Sequence, residues 1–259
     1  MSSYRRNKLK TAWDISRKIR NWPDAFDLRI RRKQKGLKLL SFRDGLQVIC
    51  RGNSRDWDVV HELLFAGSYG RAFSHLQSLK GNPVVLDLGG NIGLFSLAAA
   101  SAHEGARIYA YEPGPPNYRM FEINCLLNAQ FSSRIRLHKE AVAGETRITE
   151  WHFDADNPGG SSLFGSHGNT FQVQVRSFAE VVASLPDNVA LAKIDIEGAE
   201  FELLEKTPPE IWKKISAISL ELHEDPQRRI NQKQVLNRLS GFGFQIEEET
   251  VCSYFLHRH

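Results

Sequence analysis

The sequence predicts an α/β protein: a seven-stranded, mostly parallel Rossmann-like sheet with helices on both faces, carrying an inserted β-hairpin and preceded by a basic helical N-terminal region. Three observations lead there. From Pro83 onward, short apolar runs alternate with segments of helical period, the pattern of parallel strands joined by crossover helices. A glycine-rich turn, Asp87-Leu88-Gly89-Gly90-Asn91-Ile92-Gly93, stands between the first such run and the first helix. The 259-residue chain, with 41% hydrophobic and 25% charged residues, has an ordinary globular composition and is long enough to bury its own core.

Residues 1–40 are expected to form a basic amphipathic helical arm. Residues 1–80 hold 18 Lys and Arg against 7 Asp and Glu, so the net charge of +4 conceals a basic N-terminal third and an acidic remainder. Ile15, Ile19, Trp22, Phe26 and Ile30 have helical spacing interrupted at Pro23, which suits two short helices better than one. The plain reading docks their apolar face on the chain's own core or on a second copy, making a homo-oligomer. The sharper one holds the basic face near nucleic acid or an anionic membrane surface. Arg5, Arg6, Lys8 and Lys10 are followed by no apolar run, so no secretory signal is expected. The three cysteines are far apart with no C-x-x-C pair, which argues against a disulfide framework or zinc cluster and points to a reducing, cytoplasmic compartment.

Residues 41–82 are expected to supply a hairpin and helices packed on the core: strands at 37–40 and 46–50 with a turn at Asp44-Gly45, then a helix at 57–65. In the main domain, 83–259, strands are expected at 84–88, 107–111, 135–142, 189–196, 215–222, 244–248 and 251–256. Helices are expected at 94–102, 116–128, 199–205 and 227–239. The last two strands are too close for a crossover and should pair as an antiparallel hairpin at one end of the sheet. Residues 146–176 break the alternation. They read as two strands, 148–153 and 171–175, joined by a polar loop whose residues 157–169 are a candidate lid over the ligand crevice.

The glycine turn and Glu112 carry the first chemical signal. An NAD-type fingerprint needs glycines at 89, 91 and 94, where this chain has Asn91 and Leu94, and no Gly-Lys-Ser/Thr of a P-loop is present. Phosphate recognition is therefore disfavoured, while the carboxylate of Asp87 suits a cationic ligand. Glu112, at the tip of the second strand and 19 residues after Gly93, can accept both hydrogen bonds of a ribose diol. A nucleoside with a positive tail meets both demands, and S-adenosylmethionine is such a molecule.

Asp87-x-Gly89-x-Asn91-x-Gly93, then Glu112-Pro113-x-Pro115-x-Asn117 running on to Asn124, then Lys193-Ile194-Asp195-Ile196-Glu197-Gly198-x-Glu200 resemble, in order and spacing, the FkbM family of S-adenosylmethionine-dependent methyltransferases over residues 42–257. The likeness extends to residues 56–69 and 159–163; it departs at Gly90, where Ala is usual, and at Phe121, where Leu is usual. It implies O-methylation of a sugar, a glycan or a glycosylated or polyketide natural product, with a small-molecule or glycan acceptor. Carried over by position, Asp87, Gly89, Gly90, Asn91 and Gly93 would form the methionine-side loop and Glu112 would hold the ribose. Pro113 and Asn117 would shape the pocket, and Ala141 and Val142 would lie near adenine.

At the acceptor side Asp195 and Glu197 follow an apolar strand and should reach the crevice, with Glu221 and His223 ending the next strand on one face. Asp195 either orients or deprotonates an acceptor hydroxyl, or caps the following helix, or bonds the cofactor ammonium. His223 is a candidate general base. Alternatively Asp195, Glu221 and His223 hold a divalent cation, for which mixed oxygen and nitrogen ligation suits Mg, Mn or Fe. His61, His75, His103, His138, His152, His167, His257 and His259 show no ligand spacing. No Pro-Pro-Tyr motif for gripping a flipped base follows Asn91, so nucleic-acid methylation is the poorer reading. A non-catalytic nucleoside-binding or assembly protein is the alternative from another class.

Overall fold

The computed structural model describes residues 13–30, 35–63, 68–153, 169–223, 231–248 and 252–258. Residues 13–18 are helical, followed by α1 (Trp22–Ile30), β1 (Leu37–Ser41), β2 (Gln47–Arg51), α2 (Asp56–His61) and α3 (Gly70–Ser78). The alternating part begins with β3 (Val84–Leu88), α4 (Leu94–Ala102), β4 (Arg107–Tyr111), α5 (Pro115–Leu127), α6 (Ala129–Ser132), β5 (Ile135–His138) and β6 (Ala141–Ala143). It continues through β7 (Arg147–Phe153), β8 (Asn169–Ser177), α7 (Phe178–Ser184), β9 (Val189–Ile194), α8 (Glu200–Lys206) and α9 (Pro209–Trp212). It closes with β10 (Ala217–Glu221), α10 (Gln232–Gly241), β11 (Gln245–Glu248) and β12 (Ser253–His257).

The main sheet has seven strands in the order β11-β12-β10-β9-β3-β4-β5. Strands β10, β9, β3, β4 and β5 run parallel, while β12 is antiparallel to both of its neighbours. The final hairpin forms as expected, but its second strand is inserted between β10 and β11. Both faces of the sheet are buried: Val85, Ile108 and Ala110 belong to one apolar cluster, Val84, Leu86, Leu88 and Tyr111 to the other. A two-sided core explains why these strands read as unbroken apolar runs. The chain leaves β3 toward β4 on one side, and β9 pairs with β3 on the other. The crevice at their carboxyl ends is therefore the topological switch point.

The expected strand 135–142 divides in two. Its first half, β5, stays in the main sheet, whereas β6 leaves it and pairs in parallel with β8. Because β7 pairs antiparallel with the other edge of β8, placing Trp151 opposite Phe171, the inserted hairpin is a three-stranded sheet in the order β6-β8-β7. The loop read as a lid, together with His167, lies outside the described residues save for Asn169.

In the N-terminal part, Ile15, Ile19, Ala25 and Leu28 are buried with Leu40, Phe42, Val48 and Trp57 of the same chain. Trp22 and Ile30, expected on that face, are 45% and 74% exposed. The reason is the turn at 19–21, where Asn21 Nδ2 donates to Leu39 O (2.6 Å) and Ser41 N donates to Asn21 Oδ1 (2.8 Å). That turn rotates α1 and breaks the helical period. Residues 1–12 and 31–34, which hold much of the basic charge, lie outside the described residues.

Two buried asparagines, Asn124 on α5 and Asn128 at its C-terminal cap, dock the β1–β2 hairpin. Gln47 N donates to Asn128 Oδ1 and Asn128 Nδ2 to Gln47 O; Ile49 N donates to Asn124 Oδ1, and Asn124 Nδ2 to Ile49 O and Ile92 O. The amides thus serve the edge of β2 as a neighbouring strand would, satisfying backbone groups that would otherwise be buried unpaired.

Candidate active site

The loop after β3 approaches the loop after β9 more closely than any side chain would allow. Gly89 has φ +81°, and a Cβ there would collide with the carbonyl of Asp195. Gly89 N and Gly90 N both donate to Tyr111 O (3.1 and 2.9 Å). Gly90 and Gly93 line no part of the cavity but face Phe121: a Cβ on Gly90 would stand 2.7 Å from its ring, and one on Gly93 would overlap it. The phenyl ring at 121 is thus accommodated by the absence of a side chain at 90.

Glu112 is buried at the tip of β4 and ties the two loops together. Asn91 N donates to its Oε2 and Gly114 N to its Oε1, each at 2.8 Å. Burial pushes this carboxyl up to about 7 against the pull of those N–H groups. Asn91, at φ 49°, holds the left-handed turn that aims its N–H at Glu112. Arg51 donates from β2 to Asn117 Oδ1 (2.8 Å) while gripping Asp56 with two further side-chain bonds, so the N-terminal hairpin braces this end of the cavity.

The cavity, with the solvent at its mouth, spans about 530 Å³ of empty space. It is lined by Gly89, Asn91, Glu112, Pro113, Asn117, Ala141, Val142, Asp195 and Glu197, all expected, and by Tyr111, Trp151, Ile196 and Ala199, which were not. Asp87 lies beneath the loop instead. Its Oδ2 accepts from Ser96 Oγ (2.6 Å), while Oδ1, 3.8 Å from Lys193 Nζ, has no hydrogen-bond partner. Burial raises its pKa, against the opposing charge of Lys193. Lys193 was quoted only as part of a motif, yet it locks the site: Nζ donates to Gly89 O (2.7 Å) and pairs with Asp195 (2.9 Å). Burial opposes its charge, but Asp195, Tyr69 and Asp87 hold the ammonium well above its ordinary value. A lone lysine in the apolar run Val189–Ile194, two residues before an acid, was the signal that could have found it.

At the acceptor end Glu200 closes the turn that the helix-cap reading gave to Asp195. Its oxygens accept from Ile196 N (2.9 Å) and Gly198 N (2.8 Å), and Oε1 meets His223 Nδ1 at 3.0 Å. His223 Nε2 then faces Glu197 Oε2 at 3.5 Å, Glu221 Oε1 at 3.8 Å and Asp195 Oδ1 at 3.9 Å. Burial alone would lower the imidazole, but the Glu200 bond and the surrounding carboxylates push it up to about 10. The imidazole's proton is thus held more firmly than a free histidine's, which weakens the case for His223 as the general base. Burial lifts Glu197 to about 7 and Glu221 to about 8, aided by the Asp195 charge. Glu197, held at φ 53°, is the carboxylate poised nearest the working pH. Asp195, Glu197 and His223 each offer a ligand atom within 4.8 Å of the others. In that set Glu197 takes the place expected of Glu221.

A glycine-cradled crevice at the carboxyl ends of parallel strands, with a ribose-ready carboxylate at the tip of the second, defines the class: S-adenosylmethionine-dependent methyltransferases with a Rossmann-like sheet. The unpartnered Oδ1 of buried Asp87 fits a cationic cofactor tail. The chain belongs to the FkbM methyltransferase family, for the family model described as Methyltransferase FkbM domain matches residues 87–246. Among relatives, Methyltransferase sdnD of Sordaria araneosa is 26% identical over 208 residues, 67% of this chain and 78% of that protein. The 31-O-demethyl-FK506 methyltransferase FkbM of Streptomyces tacrolimicus is 24% identical over 206 residues, 68% of this chain and 79% of its own. Methyltransferase FkbM from Methylobacillus flagellatus KT, a solved structure, aligns with a TM-score of 0.48 and 17% identity; the match covers 92% of this chain and 59% of that one.

Proposed function

We propose that the enzyme is an O-methyltransferase whose acceptor is an uncharged hydroxyl of a sugar, glycan or glycosylated natural product. The observation that carries this reading is the convergence of Asp195, Glu197 and Glu221 on His223 beside the cofactor cavity. Glu62 adds a further carboxylate whose pKa is raised by burial and then by Asp195. Carboxylates accept hydrogen bonds from sugar hydroxyls and repel phosphates, so the site disfavours nucleic acid. The name of the Streptomyces relative points the same way, since it places a methyl group on an oxygen of a natural product.

Bound S-adenosylmethionine supplies an electrophilic methyl group on a positively charged sulfur. Glu112 would hold the ribose, and Asp87, buried beneath the glycine loop, would act on the cofactor's cationic tail only through its charge. Asp195, fixed by Lys193, orients the acceptor hydroxyl. Glu197 would take the acceptor hydroxyl's proton as the methyl group is transferred. His223 offsets the negative charge gathered around it. A second reading follows from the anchoring of its Nδ1 by Glu200: Nε2 is then directed at the carboxylates, as in a carboxylate–histidine–metal arrangement, and a divalent cation there would lower the acceptor's pKa. Cys50, Cys125 and Cys252 are free thiols, which supports a reducing, cytoplasmic compartment. Among the described residues no helix is long and apolar enough to cross a membrane.

The test is turnover of chelator-treated enzyme on neutral glycosides, their phosphate esters and oligonucleotides, with and without added Mg or Mn. Methyl ethers on a neutral glycoside, with the phosphate esters much slower, are expected. Methylation of nitrogen or of the oligonucleotide would overturn the proposal, and turnover that needs added metal would establish the second reading.

A further inference from the structure

We infer that Trp151, on the inserted hairpin, is a cofactor-binding residue whose indole N–H donates to a ribose hydroxyl of S-adenosylmethionine beside Glu112. Trp151 is only 7% exposed, yet among buried residues it clusters with Val173 alone, apart from both main cores. Trp151 lines the cofactor cavity. Its Nε1 has no hydrogen-bond partner, although buried indole N–H groups normally find one and leaving one unpaired is costly.

Its position says what the partner is. A Cβ placed on Gly114 would stand 3.6 Å from Trp151 Nε1, 2.8 Å from Glu112 Oε1 and 3.9 Å from Asn117 Nδ2. The orphan donor, the ribose-holding carboxylate and an amide nitrogen therefore surround one small space, kept open by a glycine. A ribose diol gives its two protons to Glu112, and each hydroxyl oxygen keeps lone pairs that need a donor. Trp151 Nε1 supplies that donor. The inserted sheet is then part of the cofactor site as well as a neighbour of the acceptor.

The inference rests on the adenosine lying at Glu112, and the experiment separates the two. The full chain and its Trp151→Phe variant are titrated calorimetrically with S-adenosylhomocysteine and with its 2′,3′-dideoxy counterpart. Trp151→Phe should bind S-adenosylhomocysteine about five- to tenfold more weakly, the worth of one hydrogen bond, and should bind the dideoxy ligand as the unaltered protein does. Equal affinities for S-adenosylhomocysteine, or the same loss with both ligands, would overturn the ribose contact. Failure of the unaltered protein to bind S-adenosylhomocysteine would overturn the cofactor pocket itself. Should the variant not fold, the unaltered protein labelled with ¹⁵N-tryptophan decides: an indole N–H must show a nuclear Overhauser contact to ribose protons, and its absence would count against the inference.

Discussion

The two ends of the cavity solve opposite problems with the same functional group. At the adenosine end a single carboxylate, Glu112, is buried and held on both oxygens by backbone N–H groups. At the acceptor end Asp195, Glu197 and Glu221 stand 3.5–3.9 Å from one imidazole and are each partly open to solvent. The first is a fixed socket. The second is a set of charges whose protons are shared out according to what is bound, and that is the condition a proton-transfer site must meet.

The sharpest way to break this comparison is Glu197→Gln, which keeps shape and removes the base. It should lower kcat by about 10²–10⁴-fold while calorimetry finds S-adenosylhomocysteine affinity little changed; equal losses in both would show that the two ends are not separable. Glu112→Gln should do the reverse. With a charged acceptor of ribose hydroxyls gone, cofactor affinity should fall by about 10- to 100-fold, with a smaller effect on turnover at saturating cofactor.

Acidity offers a finer test, since both ends titrate near 7 but through different constants. A carboxylate that accepts from two hydroxyls and two N–H groups must be ionised, so cofactor Kd should worsen as pH falls below about 7 through Glu112, while kcat should rise with pH through about 7 as Glu197 ionises. For folding the sign is opposite. The Glu112 pKa is raised above its ordinary 4.5, so its contribution to stability in the free protein is fully present below pH 4.5 and is lost as pH rises through about 7. A denaturation series from pH 4 to 8, with Glu112→Gln as reference, would isolate it.

The smallest expected effect concerns packing beneath the socket. Gly90→Ala should cost about 1–3 kcal/mol of stability by crowding Phe121, and adding Phe121→Leu should restore most of it. A double-mutant cycle read by thermal denaturation gives the coupling; additive losses would mean that the two positions are independent.

The fold was legible because its signals are local. A buried strand, a glycine turn and a helix start follow one another within residues 84–102, and the Glu112 spacing is a property of one βαβ unit. Where signals crossed a boundary, the period misled. Helical spacing running through Asn21 placed Trp22 and Ile30 on the wrong face, and apolar residues on both sides of Lys139 and Glu140 concealed the break between β5 and β6. At the acceptor end Asp195, Glu197, Glu221 and His223 stand near one another, but the closest partner of the imidazole is Glu200, which the sequence did not suggest. No spacing in the chain announces that Glu200, at the start of α8, takes Nδ1 of His223 while Glu221 at the end of β10 stands near Nε2. Trp151 was missed for the same reason: it lines the cavity from another sheet, 39 residues along the chain from Glu112.

The late strand β12 has a consequence in time. It lies between β10 and β11, both of which precede it in the chain. During synthesis, therefore, the edge of β10, which carries Glu221 at its tip, has no neighbour on that side until β12 has emerged, and β11 cannot join the sheet before then. Strand β12 is therefore the clasp of this edge: it alone joins β11 to the sheet, and its removal would leave the edge of β10 unpaired beside Glu221.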